Sequence, residues 1–208
     1  VNRRHPGEYI LAAVVMSWMF VLAACSAGAE GGPRPDDPGA LRLAGESFLQ
    51  SGGDPEVARV FEDGVIDRED YEFVFSRYQS CIEAAGMSLR NVAINPLDSL
   101  TYSYMVHYNS LSEEDGWSES IRCDREYLET PQSWYQETNP AEINPKLIVP
   151  IHACLDRVGV DYDPEASTLR GLFLAEDPTY KQFETVSECA VEAMTEKFPE
   201  VTGYGVEF

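Results

Sequence analysis

The sequence predicts an α+β fold, mainly helical, built as two related disulfide-closed units (helix–hairpin–helix, then helix–short strand–helix) with a small antiparallel sheet. Three observations lead there. Cys81-Ile-Glu-Ala-Ala-Gly86 and Cys154-Leu-Asp-Arg-Val-Gly159 repeat one pattern: cysteine, apolar residue, acid, two residues, glycine. Apolar residues at helical spacing precede each repeat, and a second helical segment bearing a cysteine follows 42 and 35 residues later, at Cys123 and Cys189. Within the first unit, Tyr102, Tyr104, Val106 and Tyr108 alternate with Ser103, Met105 and His107, the period of a strand.

Taken in order, the chain begins with a short basic stretch, Val1-Asn-Arg-Arg-His5. An almost unbroken apolar run from Tyr9 to Ala24 follows, ending in Leu22-Ala23-Ala24-Cys25 before polar, Gly- and Pro-rich sequence. This arrangement resembles the signal peptide and lipobox of bacterial lipoproteins. The resemblance implies that residues 1–24 are a leader and that Cys25 carries a thioether-linked diacylglyceryl group. It also implies a chain held at the cell membrane on the extracytoplasmic face, with the lipid on Cys25 as its membrane contact. The competing reading is a membrane-spanning helix, which wants about 20 apolar residues and a basic cluster behind it. The next charges here are Glu30, Arg34, Asp36 and Asp37. Residues 25–40 read as a flexible linker of Gly, Pro, Ala and Asp, spanning roughly 20 Å as a coil.

The whole chain holds 15 basic and 36 acidic residues, a formal charge of −21; removing Arg3, Arg4 and Glu8 with the leader leaves 13 against 35, or −22. Such a chain repels phosphate backbones, so nucleic acid is not an expected partner. Five cysteines are an odd number. With Cys25 acylated, Cys81, Cys123, Cys154 and Cys189 remain, an even set suited to an oxidising compartment. Spacing alone leaves three pairings open. The internal repeat selects Cys81–Cys123 and Cys154–Cys189, each bridge closing its own unit.

The first unit occupies residues 41–140. Leu41 to Gln50 is a short helix stopped by Ser51-Gly52-Gly53, and Asp54-Pro55 opens another through about Glu62. Asp67, with Asp70 three residues on, caps a helix whose stripe is Tyr71, Val74, Phe75, Tyr78, Cys81 and Ile82, and Gly86 ends it. Met87–Ile94 and Leu100–Tyr108 are strands around Asn95-Pro96-Leu97-Asp98. A helix from about Ser112 to Leu128 carries Trp117, Ile121 and Cys123. The second unit occupies residues 141–208. Asn144-Pro145 starts a helix to Val158, Val160 to Tyr162 is a brief strand, and Ala166 to Ala175 is helical. Asp177-Pro178 caps a last helix that buries Tyr180, Phe183, Val186, Cys189 and Val191, and Thr202 to Phe208 is a candidate edge strand.

The run Asp63-Gly64-Val65-Ile66-Asp67-Arg68-Glu69-Asp70-Tyr71, followed by Cys81 and Gly86, resembles a unit of uncharacterised secreted proteins and lipoproteins of actinobacteria. The resemblance covers Phe61 to Leu128 and, more weakly, Ile151 to Met194. It implies a location and an architecture, and it carries no activity.

Chemistry-bearing patterns are few. Asp63 to Asp70 also resembles the second half of a calcium-binding helix–loop–helix, but Arg59 and Phe61 fall at the first two ligand positions. Asp161, Asp163 and Glu165 alternate without the glycine and closing carboxylate that such a loop needs. After the leader only His107 and His152 remain, and neither sits in a metalloprotease, nucleophile-elbow or phosphate-loop motif. No catalytic residue, metal or cofactor is expected. The reading that follows is a non-enzymatic interaction or structural module of the cell envelope, with an envelope protein or the wall as partner. The alternative is a small envelope hydrolase, which needs His107 or His152 near a carboxylate and a serine. The Tyr102, Tyr104 and Tyr108 face is either sheet packed under the helices or a stacking platform.

Overall fold

The computed structural model describes residues 38–175 and 177–201. The expected leader, Cys25, most of the expected linker and the tail from Thr202 to Phe208 lie outside the described residues.

Helix α1 (Pro38–Gln50) starts three residues before Leu41, with proline at its first position, where a missing N–H costs nothing. It turns at Gly52, whose φ is +98°. Leu41 and Phe48 are buried, and Phe48 meets Phe61 at 5.8 Å between ring centroids. The segment opened by Asp54 is one 3-10 turn, Val57–Phe61, rather than a full helix. Asp54 Oδ1 accepts the N–H groups of Glu56 and Val57 at 2.8 and 3.1 Å.

Helix α2 (Arg68–Ala84) has a reciprocal cap. The Asp67 carboxylate accepts the Glu69 and Asp70 N–H groups, and the Asp70 carboxylate accepts the Asp67 N–H. Its expected stripe, Tyr71 to Ile82, is the buried face. At its end the Gly86 N–H bonds to the Glu83 carbonyl and the Met87 N–H to the Ile82 carbonyl. Helix α5 (Pro145–Val158) ends in the same way, Gly159 to Asp156 and Val160 to Leu155. Both glycines take positive φ, +81° and +72°. The repeated motif is therefore a helix stop. Its apolar residue, Ile82 or Leu155, is fully buried, its glycine reverses the chain, and its cysteine bonds to the next helix. Cys81 is joined to Cys123 and Cys154 to Cys189, with Cα atoms 5.7 and 5.5 Å apart.

Strands β1 (Ser88–Ile94) and β2 (Tyr102–His107) form the two-stranded antiparallel sheet, slightly shorter than expected. The register passes from Arg90 opposite Met105 to Ala93 opposite Ser103, so Asn91 and Val92 together face Tyr104. This is a β-bulge, with Asn91 in the left-handed region at φ +55°. A period of two would put Leu89 and Ala93 on one face. The extra residue separates them: Leu89 packs on the first core with Tyr102, Tyr104, Val106 and Tyr108, and Ala93 packs on the second.

The helix that begins at α3 (Glu113–Cys123), capped by Ser112, does not stop at Leu128. It continues through a π-helical turn, Asp124–Leu128, into α4 (Glu129–Thr138). In the π register the Glu126 carbonyl would accept from residue 131, which is proline and has no N–H. The Asp54 N–H takes that carbonyl instead, at 2.9 Å. Pro131 is thus accommodated, and the turn after α1 is fastened to the long helix.

The second core gathers Ile143, Leu147, Ile151, Leu155, Val186, Ala190 and Met194 between α5 and α6 (Tyr180–Lys197), with Leu97 from the hairpin turn. The expected short strand at Val160–Tyr162 is not a strand; these residues are irregular, with Val160 and Tyr162 leaning on the core. Ala166 to Ala175 holds only one 3-10 turn, Arg170–Leu172, because the Thr168 hydroxyl takes the Gly171 N–H and Asp163 bonds back to Leu172. Thr179, not Asp177, caps α6, in a capping box with Gln182. Tyr180, the first helical residue, is 82 % exposed and Val191 40 % exposed, so the buried face runs through Val186, Cys189, Ala190, Ala193 and Met194.

The hairpin turn joins the cores. Leu97 is buried in the second, the Asp98 carbonyl accepts the Glu142 N–H at 2.9 Å, and the Pro96 carbonyl accepts the Asn144 N–H at 2.8 Å.

Candidate functional site

The tyrosine face of β2 is core. Tyr135 stacks on Tyr71 at 4.5 Å, Tyr71 on Tyr102 at 5.8 Å, and Phe75 bridges Tyr102 and Tyr104 at 4.4 and 5.4 Å. The Tyr71 hydroxyl donates to Gln132 Oε1 and accepts the Tyr102 N–H, both at 3.0 Å. The Arg68 guanidinium closes the ladder, 5.1 Å from the Tyr102 ring centre. Burial raises the Tyr71, Tyr78 and Tyr104 phenols above the ordinary tyrosine range, so they stay neutral donors.

Among the described residues, neither His107 nor His152 forms a hydrogen bond or ion pair with a carboxylate. His107 Nδ1 lies 2.8 Å from the amide oxygen of Asn109, and the Ser88 hydroxyl reaches that same oxygen at 3.3 Å. His152 lies against Tyr162, 4.6 Å between ring centres, and its Nε2 is buried without a partner. The acids that suggested calcium loops are engaged in the backbone. Asp67 and Asp70 form the α2 cap, and Asp163 Oδ1 accepts the Glu165 N–H at 2.9 Å. Burial, with Asp67, Asp63 and Glu69 nearby, holds the Asp70 carboxyl above its usual range despite the bond from the Asp67 N–H. Among the described residues no three His, Cys, Asp or Glu side chains gather as a metal site.

Two surface clefts stand out among the described residues. One, of about 320 Å3, lies under the hairpin turn, with a floor of Leu97, Leu100 and Leu169. Two of its polar side chains already hold the fold: Asp98 Oδ1 accepts the Leu100 and Thr101 N–H groups, and Asn95 Oδ1 accepts the Leu97 N–H.

The other, of about 610 Å3, runs between α3 and the Ser51-Gly52 turn. Glu114, Trp117, Ser118, Ile121, Arg122 and Arg125 line it at i, i+3, i+4, i+7, i+8 and i+11, one face of the helix. Trp117 is 62 % exposed. Two kinds of polar group surround the indole. Arg122 is tied to Glu119 at 2.9 Å and to Glu126 at 2.7 Å. Glu114, Ser118, Arg125 and the indole N–H have no partner among the described residues. The wall is stiffened at Cys123 by the disulfide and at Glu126 by the Asp54 N–H.

Sequence reasoning placed Trp117 on this helix beside Cys123 and missed its exposure. The signal was present in the spacing. Gly116 and Cys123, seven residues apart, share the buried face, and Trp117 sits about 100° round from Gly116. No protein family, curated protein or solved structure matches the chain, so its own residues carry the functional argument.

Proposed function

We propose that the chain is an exported lipoprotein, acylated on Cys25 and held on the extracytoplasmic face of the cell membrane, whose folded body binds an envelope partner without transforming it. The cysteine count carries the reading. Four cysteines pair as Cys81–Cys123 and Cys154–Cys189, leaving Cys25, at the end of the apolar run, as the fifth. Paired cysteines fit an oxidising compartment. A single cysteine after Leu22-Ala23-Ala24 fits acylation, and two or three acyl chains there make a lasting anchor where one would hold only marginally. A binding role is supported by the Trp117 groove, whose free polar groups surround an exposed indole.

Metabolic labelling with radioactive palmitate tests the anchor. The wild-type chain is expected to take up label and sediment with membranes, and Cys25→Ala to do neither. Equal labelling of the two would overturn the proposal.

A further inference from the structure

The partner-binding reading leaves open what the Trp117 groove recognises; resting on that reading, we infer that it binds a neutral saccharide, with one sugar ring stacked on the indole.

The chemistry of the walls selects this class. An exposed indole offers a flat apolar face on which a ligand ring can stack, and polar groups around it can orient that ligand. The groove volume, about 610 Å3, falls within the roughly 300–1,000 Å3 of small-ligand sites. A pyranose presents an apolar C–H face and a rim of hydroxyls. The first suits the indole with Ile121 beside it. The second needs donors and acceptors side by side, which Arg125, Ser118 and Glu114 supply unpaired.

Charge argues against the other occupants. The rim carries two carboxylates, Glu114 and Glu126, against two guanidiniums, Arg122 and Arg125, and Glu119, paired with Arg122, adds a further negative charge beside it. An anionic ligand gains nothing there, and the chain as a whole, at −21, repels it. The same charge repels a second copy of the chain. Rigidity completes the case. Arg122 is fixed by two ion pairs and the helix by the adjacent disulfide, so the wall is organised before a ligand arrives.

Titration calorimetry of the whole chain in detergent, with the tetrasaccharides of N-acetylglucosamine, glucose, galactose, mannose and arabinose as probes, tests the inference. At least one is expected to bind at about 10 mM or below. Trp117→Ala is expected to weaken it at least about tenfold, and Trp117→Tyr, which keeps an aromatic face, by about threefold. Arg125→Gln is expected to weaken it several-fold, and raising salt from about 0.05 to 0.5 M to leave it unchanged. Heat from none of the five probes, binding indifferent to Trp117→Ala, or Trp117-dependent dimerisation in sedimentation would each overturn the inference. Palmitate labelling of Trp117→Ala separates the claims: it stays at the wild-type level if only the groove has been altered.

Discussion

Gly116 lies against the ring of Tyr108, just past β2, and replacing it with alanine sets two effects of opposite sign against each other. Alanine in a helix interior is favoured over glycine by about 1 kcal/mol. Against this, a Cβ at position 116 would stand 2.3 Å from Cγ of Tyr108, 2.6 Å from Cδ1 and 2.7 Å from Cδ2. Ordinary carbon contacts lie at about 3.5–4.0 Å, so ring and helix would have to part by more than about 1 Å. Neither yields easily. The contact falls on the root of the ring, Tyr108 is held by the Leu111 N–H on its carbonyl at 2.9 Å, and α3 is tied by the Ser112 cap and the Cys123 disulfide.

Overpacking of this kind costs about 1–3 kcal/mol, and with both partners restrained the upper end applies. Gly116→Ala is therefore expected to destabilise the protein by about 1–2 kcal/mol net. In a Tyr108→Ala background the obstacle is gone, and the same substitution is expected to stabilise by up to about 1 kcal/mol. Urea unfolding of the four proteins, disulfides intact, reads the sign directly. If Gly116→Ala is neutral or stabilising with Tyr108 present, or costs the same in both backgrounds, the reasoning about this contact is wrong.

Replacing Cys81 and Cys123 together, or Cys154 and Cys189 together, by alanine is expected to cost about 4 kcal/mol in each case, from loops closed at separations of 42 and 35 residues; urea midpoints measure it, and a loss below about 1 kcal/mol for either pair would refute it. The Tyr71, Tyr78 and Tyr104 phenols are raised in the folded chain, so the unfolded chain gives up their protons first. Their contribution is complete below about pH 10 and is lost above it, at up to about 4 kcal/mol per pH unit for the three together. Stability followed with tyrosinate absorbance should fall as the phenolates appear; full ionisation of a still-folded protein near pH 10 would contradict it. Calcium at about 1 mM is expected to leave Tm unchanged, because Asp67 and Asp70 already serve the helix cap, and a rise of several degrees would point to a cation at the Asp63–Asp70 turn.

What could be read from the sequence was what is decided locally. Cys-apolar-acid-x-x-Gly states a helix end within six residues, so both stops, and through their repetition both bridges, could be inferred. Asp67 with Asp70, and Asn144 before Pro145, announce helix starts in the same way. The misreadings arose where two local signals competed or where tertiary structure decided. Asp177-Pro178 resembled a helix start, but Thr179 with Gln182 three residues on forms the reciprocal cap. The helix expected to end near Leu128 runs on to Thr138, because a π turn and a distant N–H, that of Asp54, absorb Pro131. Ala166 to Ala175 has helical composition, but side-chain and backbone bonds at Thr168 and Asp163 take its place. In the groove, the sequence places Trp117 on the same helix as Cys123 without saying which way it faces. Only the angle between it and Gly116 revealed that it points outward.

The bulge at Asn91 and Val92 bears on how the protein can come apart. A single ribbon of β-structure supplies Leu89 to one interior and Ala93 and Leu97 to the other. Cutting the polypeptide near residue 140 would thus leave the first fragment with Leu97 bare and deprive the second of its lid, although each would retain its own cross-link. Melting should accordingly proceed in one step. A protease would have to overcome the whole fold rather than peel away its smaller half.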